Sequence, residues 1–348
     1  MKKFTKILSL VLCLIMTLSV LISCADDQTV APSTNADDMK AQMLAGDFYD
    51  ENGLYFAVTG ENVCEVSIGK AAALETVVIP AVYQGYTVTS IARSGFADCQ
   101  NLKSITIPET VVTIEDRAFY GSANLAEIKI ADNSLLKKIG SSVFKNTAYY
   151  GNINNWQESV LYVGTCLVEA DKNITACNIK DGTTAIAGSA FYDCTNLASI
   201  TIPNSLQYID SFAFKNCSSL KSVNISSMKT WCSIEFADYS VNPLSTGVCG
   251  LYLNGGKVTS ITFTNDITSI GNYAFYGYKD LKDVVVSLSI QSIGNKAFHN
   301  VVLTAERDSE TKVITKYHCI YEGSEDEWKA ISKAGASLPA NGEINFLG

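Results

Sequence analysis

The stretch LKSITIPETVVTIEDRAFYG, residues 102 to 121, decides the fold. It begins with Leu-x-x-Ile-x-Ile, the alternating spacing of a β-strand with one buried face. It continues to Ile114, which precedes Phe119 by five positions, and it closes on Gly121, a residue type that tolerates a tight turn. The stretch therefore predicts one coil of chain whose apolar residues share a single core.

This coil recurs along the chain, and its clearest marker is the phenylalanine. Successive markers are 23, 25, 47, 23, 61 and 23 residues apart, so the basic period is 23 and the long intervals carry insertions. A coil of this length cannot bury its own apolar face, and stacking of coils through parallel strands builds a continuous core. The markers are Phe96, Phe119, Phe144, Phe191, Phe214, Phe275 and Phe298.

The positions around each marker hold matching residue types. The residue five positions before the marker is isoleucine in all seven coils: Ile91, Ile114, Ile139, Ile186, Ile209, Ile270 and Ile293. The residue two positions after it is one of the types that tolerate a left-handed backbone: Asp98, Gly121, Asn146, Asp193, Asn216, Gly277 and Asn300. These columns predict buried isoleucines and phenylalanines followed by a turn in every coil.

The Leu-x-x-Ile-x-Ile strand followed by Ile-x-x-x-Ala-Phe resembles the BspA-like leucine-rich repeats of bacterial surface proteins, over roughly residues 50 to 335. The resemblance implies a mainly β leucine-rich-repeat solenoid with a parallel sheet on one face. It also implies adhesion to proteins of a host matrix or of a neighbouring cell. The chain departs from the commoner leucine-rich repeat eight residues after the strand leucine, where no regular asparagine stands: Thr110, Asn133, Ser205, Met228 and Ser289.

The beginning of the chain has the features of an export signal. Three lysines precede an uncharged apolar segment, and Leu21-Ile22-Ser23-Cys24 follows. The last four residues resemble the lipobox of bacterial lipoproteins, which implies cleavage before Cys24 and lipid attachment to that residue. We therefore expect a signal peptide at 1–23, an acylated Cys24 with a flexible tether to residue 44, and a location on the bacterial cell surface.

The remaining boundaries follow from the repeat register. We expect an N-terminal capping hairpin at 45–76, the solenoid at 77–312 and a C-terminal cap at 313–348. The insertions fall near 147–176 and 226–256. In the C-terminal cap, Ser324 and Glu327 have the spacing of a capping box and predict the start of a helix.

Charge and composition limit the classes of function that the chain can have. The formal net charge of −9 becomes −12 once the three signal lysines are removed, so nucleic acid is a poor partner and the membrane is reached only through the lipid. Most cysteines fall at apolar columns of the repeat, although a bridge between Cys232 and Cys249 stays open. The chain contains two histidines and lacks a Cys-x-x-Cys pair, a phosphate-binding loop and a nucleophile elbow. We therefore predict no catalytic residues, no metal and no cofactor.

Two regions hold candidate binding residues for a monomeric protein that binds another macromolecule. The outward positions of the strands are small and hydroxyl-rich or charged: Ser104, Thr106, Glu127, Lys129, Ser199 and Thr201. The insertions hold the aromatic candidates: Tyr149, Tyr150, Trp156, Trp231 and Tyr239. An extracellular protein is the expected partner. A glycan bound on the aromatic residues is the alternative, and a cell-envelope enzyme comes after both.

Overall fold

The computed structural model describes residues 47–303, 305–333 and 343–348. They belong to one compact unit, Gly46–Gly348. The expected signal peptide, Cys24 and the tether lie outside the described residues. Within the described part, no helix has both the length and the apolar character needed to cross a bilayer.

The chain forms a mainly β, parallel solenoid of about 12 turns. The strands before the first insertion are β1 Asp47–Tyr49, β2 Tyr55–Gly60, β3 Val63–Ser67, β4 Thr76–Val78, β5 Val82–Tyr83, β6 Tyr86–Ile91, β7 Ser104–Ile107, β8 Thr113–Ile114, β9 Glu127–Ile130 and β10 Lys138–Ile139. The next strands are β11 Trp156–Gln157, β12 Val160–Val163, β13 Cys166–Ala170, β14 Ala176–Asn178, β15 Ala185–Ile186, β16 Ser199–Thr201, β17 Tyr208–Ile209, β18 Ser222–Ile225 and β19 Glu235–Phe236.

The last strands are β20 Gly250–Leu253, β21 Gly256–Lys257, β22 Ser260–Thr262, β23 Ser269–Ile270, β24 Asp283–Val286, β25 Ser292–Ile293, β26 Glu306–Arg307, β27 Ile314–Lys316, β28 Cys319–Tyr321, β29 Ser332–Lys333 and β30 Ile344–Phe346. Helices are few and short. The α-helices are α1 Ala148–Gly151, α2 Met228–Ser233 and α3 Glu325–Ala330, and the 3-10 helices are η1 Ile153–Asn155, η2 Tyr239–Val241 and η3 Pro243–Thr246.

Each coil contributes strands to two parallel sheet series. The front sheet contains the Leu-x-x-Ile-x-Ile strands, paired in the groups β4-β7-β9, β14-β16-β18-β20 and β22-β24-β28-β30. The back sheet contains mostly short strands that end near the isoleucine five residues before the marker, paired as β3-β6-β8-β10, β13-β15-β17-β19 and β23-β25-β29. Neighbouring coils are in register, for example Ile105 with Ile128 and Ile91 with Ile114. The predicted solenoid is confirmed.

The marker phenylalanines form ladders through the core. All seven are at most 7% exposed, and the isoleucines five residues earlier are at most 1% exposed. Phe119 stacks on Phe96 and on Phe144, with ring centroids 5.4 Å apart in both pairs. Phe191 stacks on Phe214 at 5.2 Å. Because stacked rings of this kind interact favourably beyond their burial, the ladder fixes the register of neighbouring coils.

The turn after each marker has the predicted left-handed backbone, since φ lies between 54° and 72° at all seven positions from Asp98 to Asn300. A second left-handed position, two residues before each marker, was not foreseen. It is held by residue types that seldom adopt this conformation: Ser94, Arg117, Ser142, Ser189, Phe212, Tyr273 and Lys296, with φ between 50° and 61°. The two bends, four residues apart, flank the marker and reverse the chain.

Hydroxyl groups replace the absent asparagine ladder. Thr110 donates to the carbonyl of Val88 at 2.8 Å, and Ser205 donates to the carbonyl of Thr183 at 2.8 Å, in each case one coil back. Ser289 does the same toward Ile267 at 2.9 Å. These bonds satisfy backbone carbonyls that lie inside the stack of coils, where an unpaired polar group is costly.

The nine cysteines of the described residues are all buried free thiols. Cys232 and Cys249 are therefore not bridged. Some of the thiols also form hydrogen bonds, since Cys217 donates to the carbonyl of Phe191 at 3.0 Å. Ser122 makes the equivalent bond to Phe96 at 2.6 Å, which explains why this column accepts both residue types.

The two ends of the stack differ from its middle. At the start, β1 and β2 pair antiparallel, as do β2 and β3, before the parallel series begins at β6. Near the end, α3 begins at Ser324, whose side chain accepts from Glu327 N while the Glu327 carboxylate accepts from Ser324 N at 2.8 Å. The predicted capping box is confirmed.

A candidate binding site at the first insertion

The first insertion builds a projecting hairpin on the solenoid. Its helix α1 begins after Thr147, whose hydroxyl accepts from Tyr150 N at 3.1 Å. The chain then returns through η1 to the antiparallel strands β11 and β12, which are joined by the two-residue turn Glu158-Ser159. Both turn residues are left-handed, with φ of 48° and 68°. This turn matches the twist of a hairpin but is normally made by Asn-Gly, so its backbone is strained.

A polar cleft of about 640 Å³ lies between this hairpin and the front sheet. One side is formed by Gln157 and Glu158 of the hairpin, and the floor includes Asn178 of β14 and Thr201 of β16. Thr201 donates to the Asn178 side-chain oxygen at 2.8 Å. The volume is in the range of ligand-binding clefts.

Charges of both signs surround the polar cleft. Glu158, Lys180 and Asp181 all line it and are exposed. Lys180 is held in place, because its backbone N–H donates to the Tyr162 hydroxyl at 3.2 Å and its ammonium lies 5.9 Å from the centre of that ring. Burial raises the pKa of Tyr162, so this phenol stays neutral at the cleft wall.

A second cleft, the aromatic cleft, lies on the other side of the same hairpin and has a volume of about 420 Å³. Its walls include Tyr150, Ile153, Trp156, Asp171 and Lys172. The Trp156 ring packs edge-on against Tyr150, with centroids 5.4 Å apart and planes at 78°. Its indole N–H donates to the Tyr150 carbonyl at 2.9 Å. Trp156 is thereby fixed while its ring stays half-buried at the cleft.

The aromatic candidates of the first insertion thus surround one hairpin, but they differ in role. Tyr149 faces the hairpin rather than the solvent, because its hydroxyl donates to the Tyr162 carbonyl at 3.0 Å. Tyr150 lines the aromatic cleft, and burial, with the nearby carboxylates Glu169 and Asp171, raises the pKa of its hydroxyl to about 12. Tyr150 and Trp156 therefore line the aromatic cleft, and Tyr149 does not.

The strand candidates are divided between two parts of the front sheet. Ser104, Thr106, Glu127 and Lys129 lie on β7 and β9, where Ser104 donates to the Glu127 carboxylate at 2.9 Å and Lys129 lies 3.1 Å from it. Ser199 and Thr201 lie on β16, in the next group of paired strands. The first insertion lies between the two groups in sequence, and Thr201 alone of the six lines the polar cleft.

The two aromatic candidates of the second insertion differ in their burial. Trp231 is 0% exposed, and its indole N–H donates to the carbonyl of Ala274 at 2.9 Å, so it is a core residue and was wrongly placed among binding residues. Tyr239 is 46% exposed and packs against Tyr276 at 4.8 Å and Tyr273 at 6.4 Å. The insertion therefore fills the core through its tryptophan and exposes its tyrosine.

Lys172, Lys180 and Asp181 were not foreseen as site residues. Lys172 lies near the end of the insertion, and Lys180 and Asp181 belong to the coil that follows it. Only the fold of the hairpin brings them beside Trp156 and Glu158. The signal available in the sequence was their position directly around β14, the first front-sheet strand after the insertion.

The described residues offer little for catalysis. They contain no group of three or more His, Cys, Asp or Glu side chains arranged to hold a metal ion. Next to His318, burial raises the pKa of the Cys319 thiol to about 12, which keeps it protonated and unreactive. His318 instead contacts Asp283 at 2.7 Å and Glu306 at 3.1 Å. Neither residue has the geometry of a nucleophile with its base.

A family model for the BspA type leucine-rich repeat region, in six copies, matches residues 67–167, 166–242 and 250–322. The chain belongs to the BspA-type leucine-rich repeat family. This match begins at the last residue of the back-sheet strand β3, ends just after the front-sheet strand β28, and leaves out residues 243–249 of the second insertion. In this chain, the BspA-type coils therefore include the hydroxyl-to-carbonyl hydrogen bonds of Thr110, Ser205 and Ser289. They also include the two left-handed positions that flank each marker.

Several solved structures are similar to this chain, and some of them are described as leucine-rich-repeat proteins. One from T. pallidum is 18% identical over 72% of this chain and 87% of its own, with a TM-score of 0.31. A leucine-rich cell surface protein from Faecalibacterium prausnitzii is 20% identical over 84% of this chain and 98% of its own, with a TM-score of 0.30. The pneumococcal vaccine antigen PcpA is 16% identical, covering 87% and 98% of the two chains, with a TM-score of 0.24. No protein with a curated description matches the chain.

Proposed function

We propose that this chain is a non-enzymatic, lipid-anchored protein of the bacterial surface that binds an extracellular protein through its front sheet at the polar cleft. The observation that carries the proposal is the cleft itself, a concavity of about 640 Å³ between a rigid hairpin and the sheet of a BspA-type solenoid. Membership of a repeat family whose solenoids offer extended binding surfaces supports a macromolecular partner.

The chemistry of the polar cleft favours a protein segment over a small apolar molecule. Its lining contains the Glu158 carboxylate, the Lys180 ammonium and the amides of Gln157 and Asn178, beside apolar side chains such as Val160 and Ile179. An extended peptide carries donors and acceptors along its backbone and charges of both signs, so it complements such a lining. The small outward side chains of β14 and β16 leave room for a partner backbone to approach the sheet.

The surface location rests on two lines of support. The start of the chain resembles a lipoprotein signal ending at Cys24. One of the similar solved structures is described as a cell surface protein. A surface location would place the front sheet where a host-matrix or neighbouring-cell protein can reach it.

Charge reversal in the cleft tests the proposal. Purified wild-type protein, Lys180→Glu and Lys145→Glu are passed over immobilised collagen, fibronectin and laminin, and over surface-protein extracts of neighbouring bacteria. Lys145 is exposed beside a marker and not part of the cleft, so its reversal matches the change in net charge. We expect Lys180→Glu to weaken binding about tenfold or more, as for a charge at an interface. Equal loss in both variants, or no binding by the wild type to any of these proteins, would refute the proposal.

A further inference from the structure

We infer that the aromatic cleft binds a neutral pyranose residue of a polysaccharide, with the sugar ring stacked on Trp156. This is a second site on the far side of the hairpin from the polar cleft, and it does not depend on the proposed protein partner. The cleft combines an aromatic wall with charged hydrogen-bonding groups in about 420 Å³. Ligand sites commonly join apolar and aromatic walls with a few well-placed polar groups.

Trp156 can offer a ligand its aromatic ring but no free hydrogen-bonding group. Its only polar group, the indole N–H, is already used on the Tyr150 carbonyl at 2.9 Å, and the edge-on contact with Tyr150 prevents the ring from rotating. The half-buried indole of Trp156 lines the cleft, and the π-face of an indole is electron-rich and attracts weakly positive C–H groups. The C–H groups on one face of a pyranose ring have this character.

The opposite side of the cleft can satisfy sugar hydroxyls. Lys172, which lines the cleft, lies 3.2 Å from the carboxylate of Glu169, and the Asp171 carboxylate lines the cleft as well. A donor and an acceptor side by side complement two neighbouring hydroxyl groups, because each hydroxyl both donates and accepts. Ser159 of the strained turn adds a further hydroxyl to the lining.

The charge of the cleft selects against acidic ligands. The Asp171 side chain lines the cleft, the one ammonium of the lining, on Lys172, is already paired with the buried carboxylate of Glu169, and the whole chain is acidic. Phosphates, uronic acids and sulfated sugars would bring like charges together inside the cleft. At the rim, Ile153 is 77% exposed and extends the apolar surface beyond the indole, as a polymer of several sugar units requires.

The tryptophans themselves allow a direct test. The chain has three, and Trp231 and Trp328 are 0% and 7% exposed, so quenching of fluorescence by acrylamide reports mainly on Trp156. Soluble β-glucan, mannan and arabinogalactan are added to the wild-type protein, with polygalacturonate as the acidic comparison. We expect at least one neutral polysaccharide to protect Trp156 from acrylamide, and polygalacturonate to give no protection.

Variants separate ring stacking from folding. In affinity electrophoresis with the protective polysaccharide, we expect Trp156→Ala to weaken retardation about tenfold or more and Trp156→Phe to weaken it less. Lys172→Ala is expected to weaken it as well, and also to lower the thermal stability, because the buried Glu169 carboxylate loses its ion-pair partner. Phe212→Ala, which removes an aromatic residue that is 48% exposed and lines neither cleft, should behave as the wild type. The inference is overturned if no neutral polysaccharide binds, if Trp156→Ala binds as the wild type does, or if polygalacturonate binds in place of the neutral polysaccharides.

Discussion

Two phenylalanines in one coil have opposite surroundings, so their removal should have very different effects. Phe214 is 7% exposed and stacks on Phe191 at 5.2 Å, whereas Phe212, two residues earlier, is 48% exposed. Truncation of a buried phenylalanine to alanine costs about 3–5 kcal/mol through lost burial and the cavity left behind. We expect Phe214→Ala to cost about 3 kcal/mol, near the lower end, because its ring stacks on a marker on one side only.

Among these variants, Phe119→Ala should cause the largest loss in the free energy of unfolding. Phe119 is 0% exposed and stacks on marker rings on both sides, at 5.4 Å each, so Phe119→Ala is expected to cost about 5 kcal/mol. Phe212→Ala serves as the control. It keeps the left-handed backbone and loses mainly a contact with the Lys215 ammonium at 4.9 Å, so the cost should stay below about 1 kcal/mol.

Urea unfolding followed by circular dichroism measures these free energies, and amide exchange of the flanking coils checks that the loss is local. Because each coil contacts only its neighbours, the Phe119 variant should lose protection first in the coils around Phe96 and Phe144. Equal costs for Phe212→Ala and Phe214→Ala, or a cost below about 1 kcal/mol for Phe119→Ala, would refute the reasoning that the marker ladder holds the coils together.

Three further predictions concern single groups. Burial, ahead of every other influence, raises the pKa of the Asp210 carboxyl, so the folded protein loses stability as pH rises through that pKa. Asp210→Asn should therefore gain stability relative to the wild type in thermal melts as pH rises above 3.8, the ordinary pKa of an aspartate, and a difference that does not change with pH would contradict this. Burial also raises the pKa of Cys166 and Cys217 to about 12, so a thiol reagent should leave both unmodified until urea unfolds the chain, as checked by mass spectrometry. Fast labelling of either thiol in the native protein would show that it is accessible. Cys24→Ala should move the protein from the membrane to the soluble fraction, and a variant that still sediments with membranes would exclude lipid anchoring at Cys24.

The repeat could be predicted from the sequence because its signals are local and recur. The Ile114 and Phe119 columns, the turn at Gly121 and the front-sheet strands all follow from spacing within a single coil. The left-handed residues two positions before the markers could not be predicted. Phe212 and Tyr273 adopt positive φ because the stack of coils closes the chain there, and neither residue type announces such a bend.

The candidate site was predictable only in part, for a related reason. The aromatic residues of an insertion can either fill the core or form a binding surface, and composition alone does not distinguish the two. Trp231 fills the core while Trp156 lines a cleft, although both lie within or next to a short helical segment. The difference depends on which neighbouring coil receives each side chain, which is a long-range property of the fold.

The bend before each marker has a consequence for how such a protein can change over evolutionary time. Its backbone follows from the coils above and below, so serine, arginine, phenylalanine, tyrosine and lysine all occupy it without disturbing the stack. Each coil therefore has a position that accepts chemically different side chains while the backbone of the coil stays the same. Because such a position recurs in successive coils, single substitutions can change the chemistry of one side of the solenoid without requiring changes in the core.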